Sequence, residues 1–356
     1  MTAVLTRFIS EQDAAAVESR LAGHWARRVG AAAAFGADYE GLWSAIARSA
    51  TGGKLLRPAL VLGVHEQLGG DHGDAAIDVA VAFELLHTGF LLHDDVIDSD
   101  LVRRGRRNIL GERVDAALAA GIGSADAERW AQASAILAGD LLIHDAQAFI
   151  ARVAVPERLR RALLDLLDDA VFASAAGELA DVALSAGTAR PGLHAVLEMT
   201  TWKTAPYSFS APLRAGAVLA GAPARTEAVL TRFGGLVGRA FQLRDDVLGV
   251  FGDEAVTGKS TIGDIREGKV TAMIAYARET PSWPELRGLL GSDAVGNGGV
   301  VRLRTLLIEC GAVDYVEGLI AHAVAESLAV LDAAPLPEAL RAELARLSHQ
   351  ATERVA

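Results

Sequence analysis

Three aspartates lie close together in the otherwise apolar segment 91–98, at Asp94, Asp95 and Asp98. On a helix, residues four apart share a face, so Asp94 and Asp98 point the same way and Asp95 lies one step round. Like charges at this spacing repel, so either a cation neutralises them or the segment is an exposed helix end with solvated carboxylates. An oxygen-only ligand set suits Mg²⁺, which often bridges carboxylates to substrate phosphates. The pattern indicates a magnesium site.

A second apolar segment, 241–249, carries the pair Asp245 and Asp246, with Gln242 just before it. Two acid-bearing helices in one chain make solvated helix ends a poor explanation for both. If the two helices face one another across a cavity, their carboxylates could hold a small cluster of Mg²⁺ ions with a diphosphate between them.

Cations follow each acidic segment, as a phosphate ligand requires. Arg103 and Arg104 come after the first, and Lys259 and Lys269 after the second. Guanidinium groups bind phosphate oxygens in pairs, whereas lysines act as point charges. Singly, each of these residues would more often be an ordinary surface charge.

A third cluster, Gly-Gly-Lys-Leu-Leu-Arg-Pro at 52–58, places Lys54 and Arg57 three residues apart after a glycine pair. That spacing brings both cations to one side of a helical turn. The cluster could therefore bind a second phosphate-bearing substrate.

The elements that must position these residues are helices. Apolar residues recur at three- and four-residue steps through 75–98, 126–153, 157–186 and 230–250, whereas strand alternation is essentially absent. Glycine-, serine- and aspartate-rich breaks separate the helical windows, at 69–73, 121–125, 185–192, 221–224 and 291–299. Because no break resembles a domain linker, we predict an all-α protein of about a dozen helices in a single domain, 1–356.

The net charge and the composition of the chain limit its possible binding partners and its cellular compartment. A net charge of −11, from 34 basic and 45 acidic residues, argues against nucleic acid. The single Cys310 cannot form an internal disulfide, which favours a reducing compartment. Because Arg7, Glu11 and Asp13 interrupt the apolar run that a signal peptide needs, we expect no signal peptide. The sequence has no charge-free stretch of ~18 apolar residues, so we expect no membrane span. We expect a cytoplasmic protein.

Taken in order, the motifs resemble the signature of the trans-isoprenyl diphosphate synthases. The resemblance covers residues 52–269, about 60% of the chain. Its parts are the glycine–lysine–arginine cluster, the first aspartate motif with Arg103-Arg104-Gly105, Lys203-Thr204, Gln242 with Asp245-Asp246, and Gly258-Lys259 up to Lys269. The resemblance implies a single helical bundle around a central cavity. It also implies a head-to-tail condensation, in which an allylic diphosphate ionises and isopentenyl diphosphate attacks the carbocation.

The resemblance also implies roles for individual residues. Mg²⁺, three ions per active site, would be held by Asp94, Asp98 and Asp245, with support from Asp95 and Asp246. The allylic diphosphate would be held by Arg103, Lys203 and Lys259, with Lys269 nearby as a further cation. Isopentenyl diphosphate would be held by Lys54, Arg57, His87 and Arg104. The transient cation would face the carbonyl of Lys203, the hydroxyl of Thr204 and the amide of Gln242. The departing pyrophosphate, not a side chain, would take the proton.

Two positions depart from the family pattern. Gly249 stands where a third aspartate of the second motif is usual, and Glu178 stands where glutamine is more frequent. Pro206, just after Lys203-Thr204, indicates either a kink that frees a backbone carbonyl or a helix boundary. The roles of Glu178 and the nearby Asp181 stay open.

Product length should depend on the floor of the cavity, one turn before Asp94. Gly89 and Phe90 occupy that place. In the family that the motifs resemble, bulky residues at both positions stop growth of the prenyl chain at fifteen carbons. Because Gly89 removes one obstruction and Phe90 keeps the other, we predict geranylgeranyl diphosphate, with farnesyl diphosphate as the alternative.

Other functions fit the sequence less well. A terpene cyclase with a similar metal site would not need Lys54 and Arg57. A helical metal phosphohydrolase is suggested only by the dipeptides His93-Asp94 and His144-Asp145. A non-catalytic regulatory subunit would tolerate the loss of carboxylates that this chain retains. Homodimerisation is expected from the family.

Overall fold

The computed structural model describes residues 8–50, 52–103, 105–188, 191–252, 268–291 and 297–352. These residues form two compact units, each described below by itself. The first takes in the described residues up to Leu167 together with Pro212–Ala222, and the second takes in Asp168–Ala211 and the described residues from Pro223 onward. The predicted single domain stays a prediction.

The first unit contains seven α-helices and a small hairpin. The helices are α1 (Glu11–Ala32), α2 (Ala37–Ser49), α3 (Leu56–Gln67), α4 (Gly73–Ile97), α5 (Ile109–Ala119), α6 (Ser124–Ala151) and α9 (Ala211–Leu219), of which all but the first residue of α9 lies in this unit. The hairpin pairs Val102–Arg103 with Arg106–Arg107 in antiparallel register. Helix α7 (Glu157–Ser185) passes from this unit into the second, the division falling between Leu167 and Asp168.

The second unit contains seven further helices. They are α8 (Leu193–Ala205), α10 (Ala224–Phe251), α11 (Ala272–Ala277), α12 (Trp283–Leu289), α13 (Asn297–Glu309), α14 (Ala312–Asp332) and α15 (Glu338–Thr352). A π-helical turn, Pro206–Ser210, follows α8 directly.

The all-α prediction is confirmed. The four long windows of helical periodicity correspond to α4, α6, α7 and α10, and the two-residue strands of the hairpin are the only strands among the described residues. The described residues form fifteen α-helices rather than about a dozen, because short helices such as α11 and α12 are too brief to show a clear period. The predicted break 291–299 lies partly outside the described residues, and α13 begins within it at Asn297.

Helix α4 is the central helix of the first unit. It packs against α6, α3 and α1, so its side chains are buried on almost every side, including Phe83, Leu85 and Leu86. A helix that is apolar all round must be enclosed by other elements. Because α4 carries the first aspartate motif at its C-terminal end, those carboxylates are attached to a rigidly packed element.

Helix α10 has the corresponding place in the second unit, where it packs against α8, the π-helical turn, α14 and α15. Leu243 and Val247 of α10 belong to a continuous apolar cluster with residues of α8, α11, α13 and α14. The second aspartate pair is thereby fixed in the last two turns of a well-packed helix.

Two of the described helices, α4 and α6, are long and apolar enough to cross a membrane by length and composition alone. The most apolar 18-residue window of each is buried against other parts of the protein, by 72% in α4 and 44% in α6. Core helices of water-soluble proteins meet the same criteria, so this finding is weak evidence for a membrane span.

Candidate active site

Arg103 binds two carboxylates of the first aspartate motif. Its Nε donates to Oδ1 of Asp95 over 2.6 Å, and its Nη2 donates to Oδ2 of Asp94 over 3.0 Å. The Asp95 side chain is buried, whereas Arg103 and Asp94 keep 15% and 21% of their side-chain surface exposed. The structure therefore brings together three of the predicted site residues at the end of α4.

The turn after α4 explains how Arg103 returns to the helix it has just left. Asp98 ends the helix, Ser99 adopts a left-handed conformation with φ of 54°, and the amide of Asp100 donates to the carbonyl of Asp95 over 2.9 Å. With the amide of Ser99 donating to Val96, this is the Schellman arrangement that reverses a chain at a helix end. The reversal leads directly into the hairpin strand that carries Arg103.

Burial and the ion pairs of Arg103 shift the pKa values of the groups at the C-terminal end of α4. Burial raises the pKa of Asp95 to about 6, although the charge and hydrogen bond of Arg103 act the other way. Burial also acts to lower the pKa of Arg103, but the charges and hydrogen bonds of Asp94 and Asp95 outweigh it and raise that pKa. Arg103 is therefore a permanent cation beside two carboxylates.

The predicted isopentenyl diphosphate residues lie in the first unit. Arg57 is buried, Lys54 is exposed, and His87 on α4 is half-buried. A β-carbon added at Gly53 would lie 3.0 Å from Oε1 of Glu84, so the glycine segment runs close to α4 one turn before His87. Leu55, between the two cations, has a φ of 49°. Leu55 and Ser99 are the only non-glycine residues with positive φ in the part of the chain that the structure describes. Leu55 lies within a predicted motif, and Ser99 directly follows one.

The predicted chain-length residue Gly89 faces α6. A β-carbon there would lie 3.0 Å from the carbonyl oxygen of Gly139 and 3.2 Å from Cγ1 of Ile143. A β-carbon added at Gly139 would in turn overlap the ring of His93, whose Nε2 lies 3.3 Å from the carbonyl oxygen of Ile136. The two glycines let the helix backbones come close, so Gly89 has a packing role that the sequence argument did not include. Its role in chain length stays a prediction, as does that of Phe90.

In the second unit, two of the residues predicted to face the transient cation are hydrogen-bonded to each other. The hydroxyl of Thr204 donates to Oε1 of Gln242 over 2.5 Å, and Nε2 of Gln242 donates to Oδ1 of Asp246 over 2.9 Å. Lys203 precedes Thr204 at the end of α8. The structure thus connects the Lys203-Thr204 motif to the second aspartate pair.

Glycines on α10 make this contact possible. A β-carbon at Gly234 would lie 2.7 Å from Cα of Ser210, and one at Gly238 would overlap Ala205. Gly234, Gly238 and Gln242 are four residues apart and so form one row on the helix. This row lets α10 approach the end of α8 and the π-helical turn closely enough for Gln242 to reach Thr204.

Pro206 begins that π-helical turn. Helix α8 ends at Ala205, and the amide of Ala211 donates to the carbonyl of Pro206, five residues back. Proline has no amide hydrogen to continue the ladder of α8, and the turn replaces regular α-helix at this point. The helix boundary that the sequence offered as one interpretation of Pro206 is confirmed, since the regular α-helix stops at Ala205. The kink that would free a backbone carbonyl stays a prediction.

Lys203 binds two carboxylates of α7. Its Nζ lies 3.0 Å from Oε2 of Glu178 and 2.7 Å from Oδ2 of Asp181. This contact gives Glu178 and Asp181 a place in the site that the sequence left open.

The C-terminal end of α10 is held from two sides. Arg244 binds Glu317 of α14 through two hydrogen bonds of 2.6 and 2.7 Å, and Nε of Arg304 donates to the carbonyl of Val250 over 2.6 Å. Asp245 is half-buried on this well-held segment, and Gly249 adds no carboxylate to it. The second motif therefore offers two aspartates, not three.

Two of the remaining predicted cations cannot be placed, and a third is placed only by its burial. Arg104 and Lys259 lie outside the described residues. Lys269 is half-buried in the segment between Gly268 and α11. Their predicted contacts with substrate stay predictions.

The carboxylates fit Mg²⁺ by their chemistry rather than as a complete cage. Within the described ranges, no three histidine, cysteine, aspartate or glutamate side chains converge closely enough to hold a metal ion. Mg²⁺ is commonly bound through one or two carboxylates together with substrate phosphates and water. The pair Asp94 and Asp98 at the C-terminal end of α4, and the pair Asp245 and Asp246 on α10, match that mode of binding.

Several residues that shape these groups were missed by the sequence argument. They are four glycines at which an added β-carbon would overlap a neighbouring helix or side chain: Gly139, Gly177, Gly234 and Gly238. The four-residue spacing of Gly234 and Gly238 before Gln242 is a signal that could have identified a helix contact. Gly139 and Gly177 are single glycines inside long helical windows, which mark a close approach only weakly.

Comparison with known proteins identifies the family. The model of the polyprenyl synthetase family matches residues 42–300, a range that contains every predicted site residue. The chain belongs to this family. That membership makes the protein a prenyltransferase of the class that forms trans-polyprenyl diphosphates.

Named relatives differ in the products that their names give. The chain is 35% identical over 298 residues to a short chain isoprenyl diphosphate synthase of Methanothermobacter thermautotrophicus, covering 81% of this chain and 84% of the relative. It is 34% identical over 304 residues to a geranylfarnesyl diphosphate synthase of Aeropyrum pernix, covering 83% and 88%. It is 30% identical over 313 residues to a (2E,6E)-farnesyl diphosphate synthase of Mycobacterium bovis, covering 85% and 80%.

A solved structure gives the same family. The geranylgeranyl pyrophosphate synthase of Corynebacterium glutamicum, complexed with isoprenyl diphosphate and magnesium, matches with a TM-score of 0.88 and 28% sequence identity. The match covers 95% of this chain and 98% of that one.

Proposed function

We propose that the protein is a Mg²⁺-dependent geranylgeranyl diphosphate synthase, which adds isopentenyl diphosphate head-to-tail to allylic diphosphates. The observation that carries this proposal is the family match over residues 42–300, within which Asp94, Asp98, Asp245 and Asp246 are all present. The contacts at the ends of α4 and α8 add chemistry that suits a diphosphate substrate.

Asp94, Asp98 and Asp245 would hold Mg²⁺, with support from Asp95 and Asp246 and with three ions per active site. The ions would neutralise the charge that develops on the leaving diphosphate. Arg103 is held beside the first motif by Asp94 and Asp95. Its remaining N–H groups would bind phosphate oxygens of the allylic diphosphate. Lys203, Lys259 and Lys269 would supply further positive charge to the allylic diphosphate.

Lys54, Arg57, His87 and Arg104 would bind isopentenyl diphosphate. Support comes from the approach of the Gly53 segment to α4, which brings the backbone before Lys54 near the helix of His87. The condensation of two diphosphates requires a second anion site, whereas a cyclase binds one diphosphate and does not need it.

Thr204 and Gln242 would orient dipoles toward the transient allylic cation. Because Gln242 accepts from Thr204 and donates to Asp246, the amide has a fixed orientation before substrate binds. Fixed dipoles stabilise a developing charge without reorganisation during the reaction.

The product assignment rests on Gly89 and Phe90. A glycine at the first position and an aromatic ring at the second favour twenty carbons, with fifteen as the alternative. The Corynebacterium structure named a geranylgeranyl pyrophosphate synthase supports twenty. Other relatives are named for products one isoprene unit shorter (farnesyl) or longer (geranylfarnesyl) than geranylgeranyl diphosphate.

The test is direct. Purified protein is incubated with Mg²⁺, isopentenyl diphosphate and, in turn, dimethylallyl, geranyl and farnesyl diphosphate, and the products are identified by mass. We expect geranylgeranyl diphosphate from all three primers, and loss of product when EDTA removes the metal. Asp245→Asn should reduce turnover strongly, whereas the matched control Asp115→Asn, an exposed residue of α5 paired with Arg107, should not.

The alternatives give different readouts. Hydrocarbon from geranylgeranyl diphosphate alone would indicate a cyclase, and phosphate release without carbon–carbon bond formation would indicate a hydrolase. No consumption of isopentenyl diphosphate with any primer would overturn the proposal.

We also propose a cytoplasmic homodimer. The net charge of −11 and the single Cys310, which is a free thiol, support a reducing aqueous compartment. Sedimentation of the purified protein would report a mass near twice 37.2 kDa if the dimer forms.

A further inference from the structure

Glu178 and Asp181 of α7 share a single ammonium group. Both carboxylates lie within hydrogen-bonding distance of Nζ of Lys203, at 3.2 Å from Oε1 of Glu178 and 2.7 Å from Oδ2 of Asp181. The two acids are three residues apart and therefore lie on one face of the helix. All three side chains are largely shielded from water, with exposures of 25% for Glu178, 15% for Asp181 and 19% for Lys203.

The closeness of the two backbones fixes this contact. A β-carbon at Gly177 would lie 2.7 Å from Cα of Lys203 and closer still to its amide nitrogen. Only a glycine permits such an approach, so α7 touches the backbone of α8 at Lys203 itself. The carboxylate of Glu178, the next residue, is thus held near Lys203 by the helices rather than by a chance side-chain conformation.

Lys203 directly precedes Thr204, one of the residues proposed to face the reacting carbons. Its neighbour Thr204 donates to Gln242, which donates to Asp246. Any group that fixes the Lys203 side chain and sets its effective charge therefore acts on the proposed allylic diphosphate site. A negative charge near 3 Å from an ammonium reduces the positive potential that a bound anion meets, and partial burial weakens the screening by water.

We propose that Glu178 is a positioning residue that tunes the affinity of this enzyme for the diphosphate of the allylic substrate. It holds the ammonium of Lys203 together with Asp181, and its charge keeps diphosphate binding weaker than Lys203 alone would make it. The moderated affinity aids release of pyrophosphate after each condensation. This inference rests on the proposed prenyltransfer function.

The discriminating variant is Glu178→Gln. Glutamine keeps the length of the side chain and an oxygen acceptor for Nζ, so it removes the charge with little change of shape. We expect the KM for geranyl diphosphate to fall about 3- to 10-fold, and pyrophosphate to inhibit at about 3- to 10-fold lower concentration. The KM for isopentenyl diphosphate should stay within about 2-fold.

Two variants separate charge from structure. Glu178→Asp keeps the charge and should restore a KM near that of the wild type, and Asp181→Asn should change the allylic KM in the same direction as Glu178→Gln. The matched control is Glu198→Gln, which removes a carboxylate of α8 paired with His194 outside the site, and it should leave both KM values unchanged. If Glu178→Gln folds poorly, Asp181→Asn carries the test.

The outcomes distinguish this inference from the function beneath it. A wild-type protein that makes no prenyl diphosphate refutes the proposed function. A wild-type protein that elongates normally, with Glu178→Gln leaving the allylic KM and pyrophosphate inhibition unchanged, refutes only the role of Glu178. Equal changes in both KM values, or equal behaviour of Glu178→Asp and Glu178→Gln, would indicate a structural role and also overturn it.

Discussion

Thr204 donates a hydrogen bond over 2.5 Å to a glutamine that lies 38 residues later in the sequence, Gln242. The bond joins the last turn of α8 to the C-terminal third of α10, three residues before the second aspartate pair. Because Gln242 passes a second hydrogen bond to Asp246, the orientation of its amide is set at both ends. The relationship predicts that the hydroxyl matters more for turnover than for folding.

Thr204→Val tests this directly. Valine preserves the shape of threonine but removes the donor to Gln242, so the amide loses its fixed orientation. We expect kcat to fall about 10-fold or more, and the free energy of unfolding to change by about 1 kcal/mol. Thr305→Val, in which the lost hydroxyl bonds only to the helix backbone of α13, is the control. Equal kcat for the two variants would contradict the assignment.

The glycine row on α10 gives a stability prediction. Gly238→Ala places a methyl group where Ala205 already lies, so α10 must move away from α8. We expect a loss of about 1–3 kcal/mol in the free energy of unfolding, measured by chemical denaturation. Gly235→Ala, three residues earlier on the same helix with nothing within 4 Å of the new carbon, should be neutral or stabilise by up to about 1 kcal/mol. The prediction is wrong if both variants unfold at the same midpoint.

The sequence predicts the helices of this protein well, because four long windows of apolar residues repeat at the helical period. Helices α4, α6, α7 and α10 therefore appear close to their expected bounds. The sequence also selects Thr204, Gln242 and Asp246 as members of one site through their resemblance to a known signature. The structure brings these three into one hydrogen-bonded chain.

Contacts that depend on helix packing could not be predicted in the same way. Lys203 meets Glu178 and Asp181 only because α7 touches α8 at Gly177, and nothing local to Lys203 indicates which helix it will meet. The return of Arg103 to α4 depends on a left-handed serine at Ser99, where glycine would be the expected signal. Both features belong to tertiary structure rather than to a motif.

Arg103 gives a prediction about guanidinium geometry. Arg103→Lys keeps the positive charge but cannot bind Asp94 and Asp95 at the same time in the observed arrangement. We expect kcat/KM for the allylic substrate to fall about 10-fold or more. Arg107→Lys changes an exposed arginine of the same hairpin, which binds Asp115, and should have little effect. Similar kinetics for the two variants would show that charge alone is needed at position 103.

Gly89 links product length to helix packing. Gly89→Phe should shorten the main product from twenty carbons to fifteen. It should also lower the melting temperature, because any side chain there meets Gly139 and Ile143 of α6. The smaller change Gly89→Ala should cost about 1–3 kcal/mol of stability, whereas Gly30→Ala, in an open position on α1, should not. The product of Gly89→Phe is identified by mass at a temperature where the variant is folded. An unchanged product length would refute the role of Gly89 in limiting the length of the prenyl chain.

His24 predicts a pH dependence of stability in the first unit. The residue is buried between Trp25, Trp43 and Phe149, and its Nε2 lies 3.0 Å from Asp145 without forming a hydrogen bond. Burial, together with the charges of Arg28, Arg27 and Arg152, lowers the pKa of His24 to about 4. Asp145 does not reverse this effect, since Arg28 already binds both of its oxygens.

The sign follows from which state takes up the proton. In the unfolded chain His24 has its ordinary pKa of 6.5, so between pH 6.5 and about 4 the unfolded state binds a proton that the folded state excludes. The contribution of neutral His24 to stability is therefore complete above pH 6.5 and is lost as the pH falls toward 4, by at most about 3 kcal/mol.

His24→Phe keeps an aromatic ring in an aromatic site and removes this titration. The unfolding free energies of wild type and variant, measured between pH 7.5 and 4.5, should diverge as His24 titrates, with the wild type losing more. His322→Gln, at an exposed position on α14, should follow the wild type, and parallel curves for wild type and His24→Phe would refute the assignment.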